Sequence, residues 1–126
     1  MPFVRIDLRE GKPAEYRVAI GEAVYDALIG IGVPANDRFQ VITEHPKDCF
    51  IFDPGYLGIE RSDALIMIQI TLNEGRSLDL KKRLYKTIAD QLHARLSVRR
   101  EDVFINLVEV KKENWSFGNG EAQYAT

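Results

Sequence analysis

The chain has 126 residues and a net charge of −2, the size of one domain with no electrostatic footprint for nucleic acid. A hydrophobic share of 45% beside 29% charged residues excludes a disordered polymer, and one cysteine, Cys49, excludes an intrachain disulfide. The start, MPFVRIDLRE, lacks the apolar stretch of a signal peptide, and the run from Ala64 to Ile70 is too short to span a bilayer; the expectation is a cytoplasmic protein with no membrane or nucleic-acid partner.

In chain order, Val4, Ile6 and Leu8 alternate with Phe3, Arg5 and Asp7, the pattern of a half-buried strand beginning at residue 2. Gly11 ends it. Pro13 suits the first turn of a helix, and Tyr16, Ile20, Ala23, Val24, Ala27, Leu28 and Ile31 form its apolar stripe. Gly30 and Gly32 fit the helix end, and Phe39 to Glu44 reads as a second strand, parallel to the first across the helical crossover. Residues 45–63 form a linker rich in turn residues, in which Cys49 to Phe52 reads as a short hairpin strand and Cys49 as a packed thiol. Ala64 to Leu72 is a nearly continuous apolar run, the mark of a strand covered on both faces. Ser77 can cap a second helix with Asp79 in its first turn. Leu80, Leu84, Ile88, Ala89, Leu92 and Leu96 make its stripe, and Lys81, Lys82 and Arg83 read as its solvated face. Val103 to Glu109 closes the pattern, and Gly and Asn between Trp115 and Tyr124 predict a C-terminal hairpin over 115–126.

The two halves also match by residue. Ile6-Asp7-Leu8-Arg9-Glu10-Gly11-Lys12 corresponds to Ile70-Thr71-Leu72-Asn73-Glu74-Gly75-Arg76 at a shift of 64 positions; Val33, Asp37 and Phe39 correspond to Val98, Asp102 and Phe104 at 65. Such self-similarity predicts one α+β domain over 1–126, built from two fused β-α-β units, 2–44 and 64–110. Together they give a four-stranded sheet with two helices on one face. The other face would hold apolar side chains without cover, which predicts self-association.

Few residues stand out for chemistry. Pro2, freed of Met1, would be a rigid secondary amine anchored at the head of a strand. Such amines ionise near about pH 8, so burial or a neighbouring carboxylate tunes them as base or acid. By position alone, most Met-Pro starts carry no role. Asp37, at the entry to the second strand, can hold such an amine or simply form a turn. Trp115, Phe117 and Tyr124 can wall an apolar pocket or pack a core or interface. His45 and His93 lack metal-ligand spacing, Ser62 has no nucleophile-elbow context, and phosphate-loop patterns are missing.

The Met-Pro start, the fused repeat and the steps Glu10-Gly11-Lys12 and Glu74-Gly75-Arg76 together resemble the tautomerase superfamily. Within it the chain is similar to the malonate semialdehyde decarboxylase branch, most specifically through Val33-Pro34-Ala35, Asp37 to Val41, Gly58 to Ser62, and Trp115-Ser116-Phe117-Gly118. The resemblance implies a homotrimer with its sheets facing inward and cofactor-free chemistry on a small carbonyl compound. It assigns Pro2 and Asp37 as catalytic groups and Trp115, Phe117 and Tyr124 as the apolar wall. It also marks a departure. The two arginines of the decarboxylase fall on Leu72 and Glu74, and the carboxylate-binding arginine of other relatives falls on Phe39 and Phe104; Arg76 alone keeps a matching cation. The expected substrate-facing residues are therefore Arg76, Leu72, Phe39, Trp115, Phe117 and Tyr124. A lost bidentate arginine removes a contact worth about 2–3 kcal/mol, which points away from malonate semialdehyde. A neutral carbonyl compound, or a monoacid held by Arg76, fits better. Keto–enol proton transfer leads the expectations. Decarboxylation or hydration of a small acid follows, and then a non-catalytic trimeric binding protein that retains Met1.

Overall fold

A computed structural model describes residues 2–125; Met1, whose removal or retention the sequence reading turns on, lies outside the described residues. Strand β1 (Phe3–Arg9) leads into helix α1 (Ala14–Gly30) and strand β2 (Phe39–His45). Strand β3 (Ile66–Asn73), helix α2 (Leu78–Leu96) and strand β4 (Val103–Val110) repeat the order. The sheet runs β2-β1-β3-β4, with β1/β2 and β3/β4 parallel and the central β1/β3 pair antiparallel. Both helices pack on the face formed by Val4, Ile6 and Leu8 of β1 and Ile66, Ile68, Ile70 and Leu72 of β3. Ile20, Val24 and Leu28 of α1 and Leu84, Ile88 and Leu92 of α2 meet them there. Each fully buried aliphatic side chain contributes about 1.5–3 kcal/mol, so this single interface dominates the stability of the fold. No helix among the described residues is long and apolar enough to cross a membrane.

The duplication extends to individual hydrogen bonds. Glu10 N–H donates to His45 C=O at 2.9 Å, and Glu74 N–H to Val110 C=O at 2.9 Å. Val33 N–H reaches Leu28 C=O at 3.1 Å, and Val98 N–H reaches Leu92 C=O at 3.3 Å. Gly11 (φ 119°) and Gly75 (φ 116°) make the same left-handed step after each first strand, a conformation that favours glycine. The shift from 64 to 65 positions falls at the helix C-termini, where α2 is longer and Ser97 takes a left-handed cap (φ 56°). Ser77 caps α2 as expected, its hydroxyl accepting Leu80 N–H at 3.2 Å.

Five readings need correction. Cys49 to Phe52 is not a strand: Lys47–Cys49 form a 3-10 turn, Cys49 is exposed, and Phe50 is the residue that packs, against His45 and Phe52. The C-terminal segment holds no strand among its described residues and closes through side-chain hydrogen bonds instead. Lys81 and Arg83 are not simply solvated: Lys81 pairs with Glu109 at 2.7 Å, and Arg83 donates to Gly30 C=O at 2.6 Å, satisfying an end carbonyl of α1. The face opposite the helices is also more mixed than alternation suggested. Phe39, Val41, Phe104 and Val108 are exposed there, but so are Arg5, Gln69 and Asn106. The apolar run of β3 is covered on one face only, since Met67 is half-buried and Gln69 exposed.

The linker is tied to the second unit at a buried carboxyl group. Asp102 is 0% exposed. Its carboxylate accepts Ser62 N–H at 2.7 Å and the Ser62 hydroxyl at 2.6 Å, with Arg99 at 3.7 Å. A buried carboxylate is tolerated only when bonded in this way. Ser62→Ala is expected to destabilise by about 1–2 kcal/mol. Asp102→Ala, which also strands the Ser62 N–H, is expected to cost about 3 kcal/mol or more. Urea midpoints at fixed protein concentration check the order; equal losses would contradict it.

Candidate active site at the tail-covered sheet end

Antiparallel pairing places the start of β1 beside the end of β3, with Phe3 opposite Thr71. Parallel pairing brings the start of β2 to the same end, with Phe3 opposite Phe39. The tail after β4 then folds over that end. A cleft of about 350 Å³ results. Pro2 and Phe3 form one wall, Phe39 and Val41 a second, and Trp115 and Phe117 the third. Gln40 and Ser116 complete its border. Pro2 is itself buried. Its ring borders both this cleft and a narrow crevice that also contains Asp37, Tyr25 and Arg38.

Helix α1 sets the loop that carries Asp37. The Tyr25 hydroxyl accepts Asn36 N–H at 3.1 Å, holding a left-handed turn at Asn36 (φ 65°). The Arg38 guanidinium lies 4.9 Å over the Tyr25 ring, a cation–π contact, and also reaches Glu22 at 3.2 Å. Gln40 locks the arrangement. Its Oε1 accepts from Arg38 at 3.1 and 3.2 Å, and its Nε2 donates to Gly21 C=O at 3.0 Å. Asp37 is half-buried at the head of this network.

The tail is built from stacked rings. Trp115 and Phe117 lie 5.3 Å apart at 17°, and Tyr124 meets Phe117 edge-on at 4.8 Å. Gln123 closes the loop behind them: its Oε1 accepts Phe117 N–H at 2.9 Å and its Nε2 donates to Gly118 C=O at 2.8 Å. Trp115 Nε1 donates to Asn73 Oδ1 at 2.7 Å.

Pro2, Phe39, Trp115 and Phe117 thus share one cleft, Asp37 adjoins it, and Tyr124 backs Phe117. Leu72 does not belong to it. It is 1% exposed and points into the core beneath the helices, because even-numbered residues of β3 face the helices and odd-numbered ones face away. Arg76 is half-buried, and its guanidinium donates to Asn73 C=O at 3.2 Å without lining the cleft. Its charge also bears on Glu109, whose carboxyl is held below its ordinary range by the Lys81 hydrogen bond first and by Arg76 least. Glu74 and Phe104 are exposed and line no part of the cleft. Phe3, Gln40, Val41, Ser116 and Asn73 escaped the sequence reading. Strand alternation could have found Phe3 and Val41, which share a face with Phe39; Asn73 carried no signal. Among the described residues no group of three or more His, Cys, Asp and Glu is placed to hold a metal ion. His45 pairs instead with Asp7 at 2.7 Å.

Gly21 shows how tightly this end is built. A Cβ there would lie 2.7 Å from Gln40 Oε1 and 3.1 Å from an Arg38 nitrogen. Alanine improves helix propensity by about 1 kcal/mol, yet Gly21→Ala is expected to be net destabilising by about 1–2 kcal/mol through the clash. Adding Gln40→Ala should recover part of that loss, read as thermal midpoints of the single and double variants.

Comparison with known proteins agrees with this fold. A model of the tautomerase enzyme family matches residues 37–118, and a second matches residues 2–59. The Bacillus subtilis (strain 168) protein named probable tautomerase YusQ is 46% identical over 98% of each chain. A second from the same organism, probable tautomerase YrdN, is 30% identical over 100% of this chain and 98% of its own. A crystal structure of FG41 malonate semialdehyde decarboxylase inhibited by 3-bromopropiolate superposes with a TM-score of 0.89 at 39% identity, covering 97% of this chain and 93% of that one. A fused 4-OT solved as a symmetric trimer shares the fold at 22% identity and a TM-score of 0.78, covering 98% of each chain. With relatives this similar over nearly its whole length, the chain belongs to the tautomerase family.

Proposed function

We propose that this protein is an enzyme that moves a proton between the oxygen and the α-carbon of a small carbonyl compound, using the amine of Pro2 after Met1 is removed. The observation that carries the reading is the position of Pro2, buried at the junction of an apolar cleft and the crevice that contains Asp37. The neutral amine accepts the enol hydroxyl proton and, as the ammonium, delivers it to the α-carbon. The carbon–carbon π electrons take up that proton as the carbonyl forms. Asp37 favours the cationic stage, whereas the aromatic walls penalise it by excluding water. That opposition suits a group that must hold the proton only in passing. No cofactor enters this scheme.

The cleft also indicates the substrate. Its charged neighbours are engaged elsewhere: Arg38 with Glu22 and Gln40, and Arg76 with the Asn73 carbonyl. Its walls are aromatic and aliphatic. A neutral or monoanionic carbonyl compound with an apolar or aromatic substituent fits this better than a compact dianion. The exposed Phe39, Val41, Phe104 and Val108 support a homotrimer assembled through the sheet face, a state that sedimentation reads directly.

Pro2→Ala is expected to lower turnover of phenylenolpyruvate by about 10²–10⁴-fold, and intact mass should show Met1 missing from active wild type. Equal rates for the two would sink the reading. So would full activity with Met1 in place, since the Pro2 nitrogen would then be a non-basic amide. A second reading, decarboxylation or hydration of a small acid with Pro2 as the cationic acid, draws support from the 39% identity to the decarboxylase above. Titration of the proline nitrogen by NMR separates the two: mostly neutral at pH 7 favours proton abstraction, mostly cationic favours the acid role.

A further inference from the structure

We infer that Asn73 is a positioning residue that sets the aromatic wall of the cleft, and so its substrate fit, by holding Trp115 through the indole N–H. Among the described residues, the Trp115–Asn73 bond of 2.7 Å is the one hydrogen bond that joins residues 115–125 to the sheet. The other hydrogen bonds of the segment are internal to it: the Gln123 clasp on Phe117 and Gly118, and the turns Glu121 to Gly118 and Ala125 to Ala122. The tail is therefore a preassembled piece of rings and clasp, fastened to the body at a single polar point. That point matters because Trp115, Ser116 and Phe117 form one whole wall of the cleft.

Indole nitrogen is a donor only, and a half-buried donor needs an acceptor. Asn73 supplies one from a fixed site. It ends β3, in register with Val110 of β4, and its own carbonyl is held by Arg76 at 3.2 Å. The next residue is also fixed, through Glu74 N–H to Val110 C=O. The acceptor is thus rigid while the tail it holds has no ladder of its own. Phe117 stacks on Trp115, so displacing the indole moves both rings. The ligand class that feels this is the one whose apolar or aromatic substituent lies against the two rings. Asn73 touches no reacting atom in this assignment and acts only through Trp115.

The inference rests on the cleft being the reaction site, and its test separates the two. Trp115 is the only tryptophan in the chain, so intrinsic fluorescence reports that ring alone, with or without turnover. Asn73→Ala should shift its emission to longer wavelength and raise acrylamide quenching. Asn73→Asp, which keeps an acceptor oxygen, should restore both toward wild type. In kinetics with phenylenolpyruvate, Asn73→Ala should raise KM about fivefold, the equivalent of roughly 1 kcal/mol for one hydrogen bond, with kcat changed less. In a Trp115→Phe background, which has no indole N–H, the same substitution should leave KM unchanged. Unaltered emission and quenching in Asn73→Ala would overturn the assignment, as would failure of Asn73→Asp to restore them or a KM effect that persists without the indole. If the wild type does not turn over the enol at all, the reaction reading fails, while the fluorescence of the two variants still decides the role of Asn73.

Discussion

The antiparallel pairing of β1 with β3 is the constraint on which the rest of the molecule hangs. Each unit alone is a parallel strand–helix–strand with one apolar sheet face to hide. Joining the two through their first strands sets both helices side by side over one continuous core. The same pairing has a second effect. Because the central strands run in opposite directions, the beginning of β1 lies beside the end of β3, and the parallel partners add the beginning of β2 and the exit of β4. One edge of the sheet thereby collects the N-terminus, the Asp37 loop and the C-terminal tail, segments distant in sequence. Burial pressure in the core and convergence at the site come from one topological choice.

At that edge the structure divides labour between rigid and appended parts. The Asp37 loop is fastened by groups of α1 and β2 acting together: Tyr25 on Asn36, Arg38 over Tyr25, and Gln40 between Arg38 and the Gly21 carbonyl. These contacts hold a carboxylate at the side of Pro2 against a wall of rings. A carboxylate near an amine stabilises charge, and a dry apolar wall opposes it. If Pro2 acts as a free amine, as proposed, the bonding around Asp37 would keep that carboxylate from drifting away from it. The tail is the looser half, and its chemistry is shape rather than charge.

Periodicity made the body of the fold legible. The alternation of Val4, Ile6 and Leu8 and the stripe from Ile20 to Leu28 reflect burial against a sheet, and burial is what apolar spacing encodes. The repeat was legible for the same reason, down to the Glu-Gly step that recurs with matching left-handed glycines. The site was legible only in part. Pro2, Asp37 and the tail aromatics stood out through resemblance, and they lie together. Leu72 was misassigned because residue correspondence says nothing about which face of a strand a side chain takes. Cys49 to Phe52 and the C-terminal hairpin were misread because their order comes from specific side-chain contacts and not from a backbone ladder: Phe50 against His45, and Gln123 across its own loop. Local propensity does not contain such contacts. Asn73 left no trace for a related reason, since its partner lies 42 positions away.

The buried Asp102 gains a different significance beside Asp37. The two occupy equivalent positions of the duplicated units, at opposite ends of the sheet. Asp37 borders a crevice with Pro2, while Asp102 is sealed by the backbone and hydroxyl of Ser62. Ser62 belongs to the linker, the segment that exists only because the two units are one polypeptide. Covalent fusion therefore did more than fix stoichiometry. The strand that corresponds to β1 begins in mid-chain, where its nitrogen is an amide, and the connector itself stoppers the end it leads to. An assembly of two separate units would present two identical ends bound to mutate together. In the fused chain one end is released from that symmetry and is occupied by a structural lock, so the other can diversify its tail and its pocket without disturbing its twin.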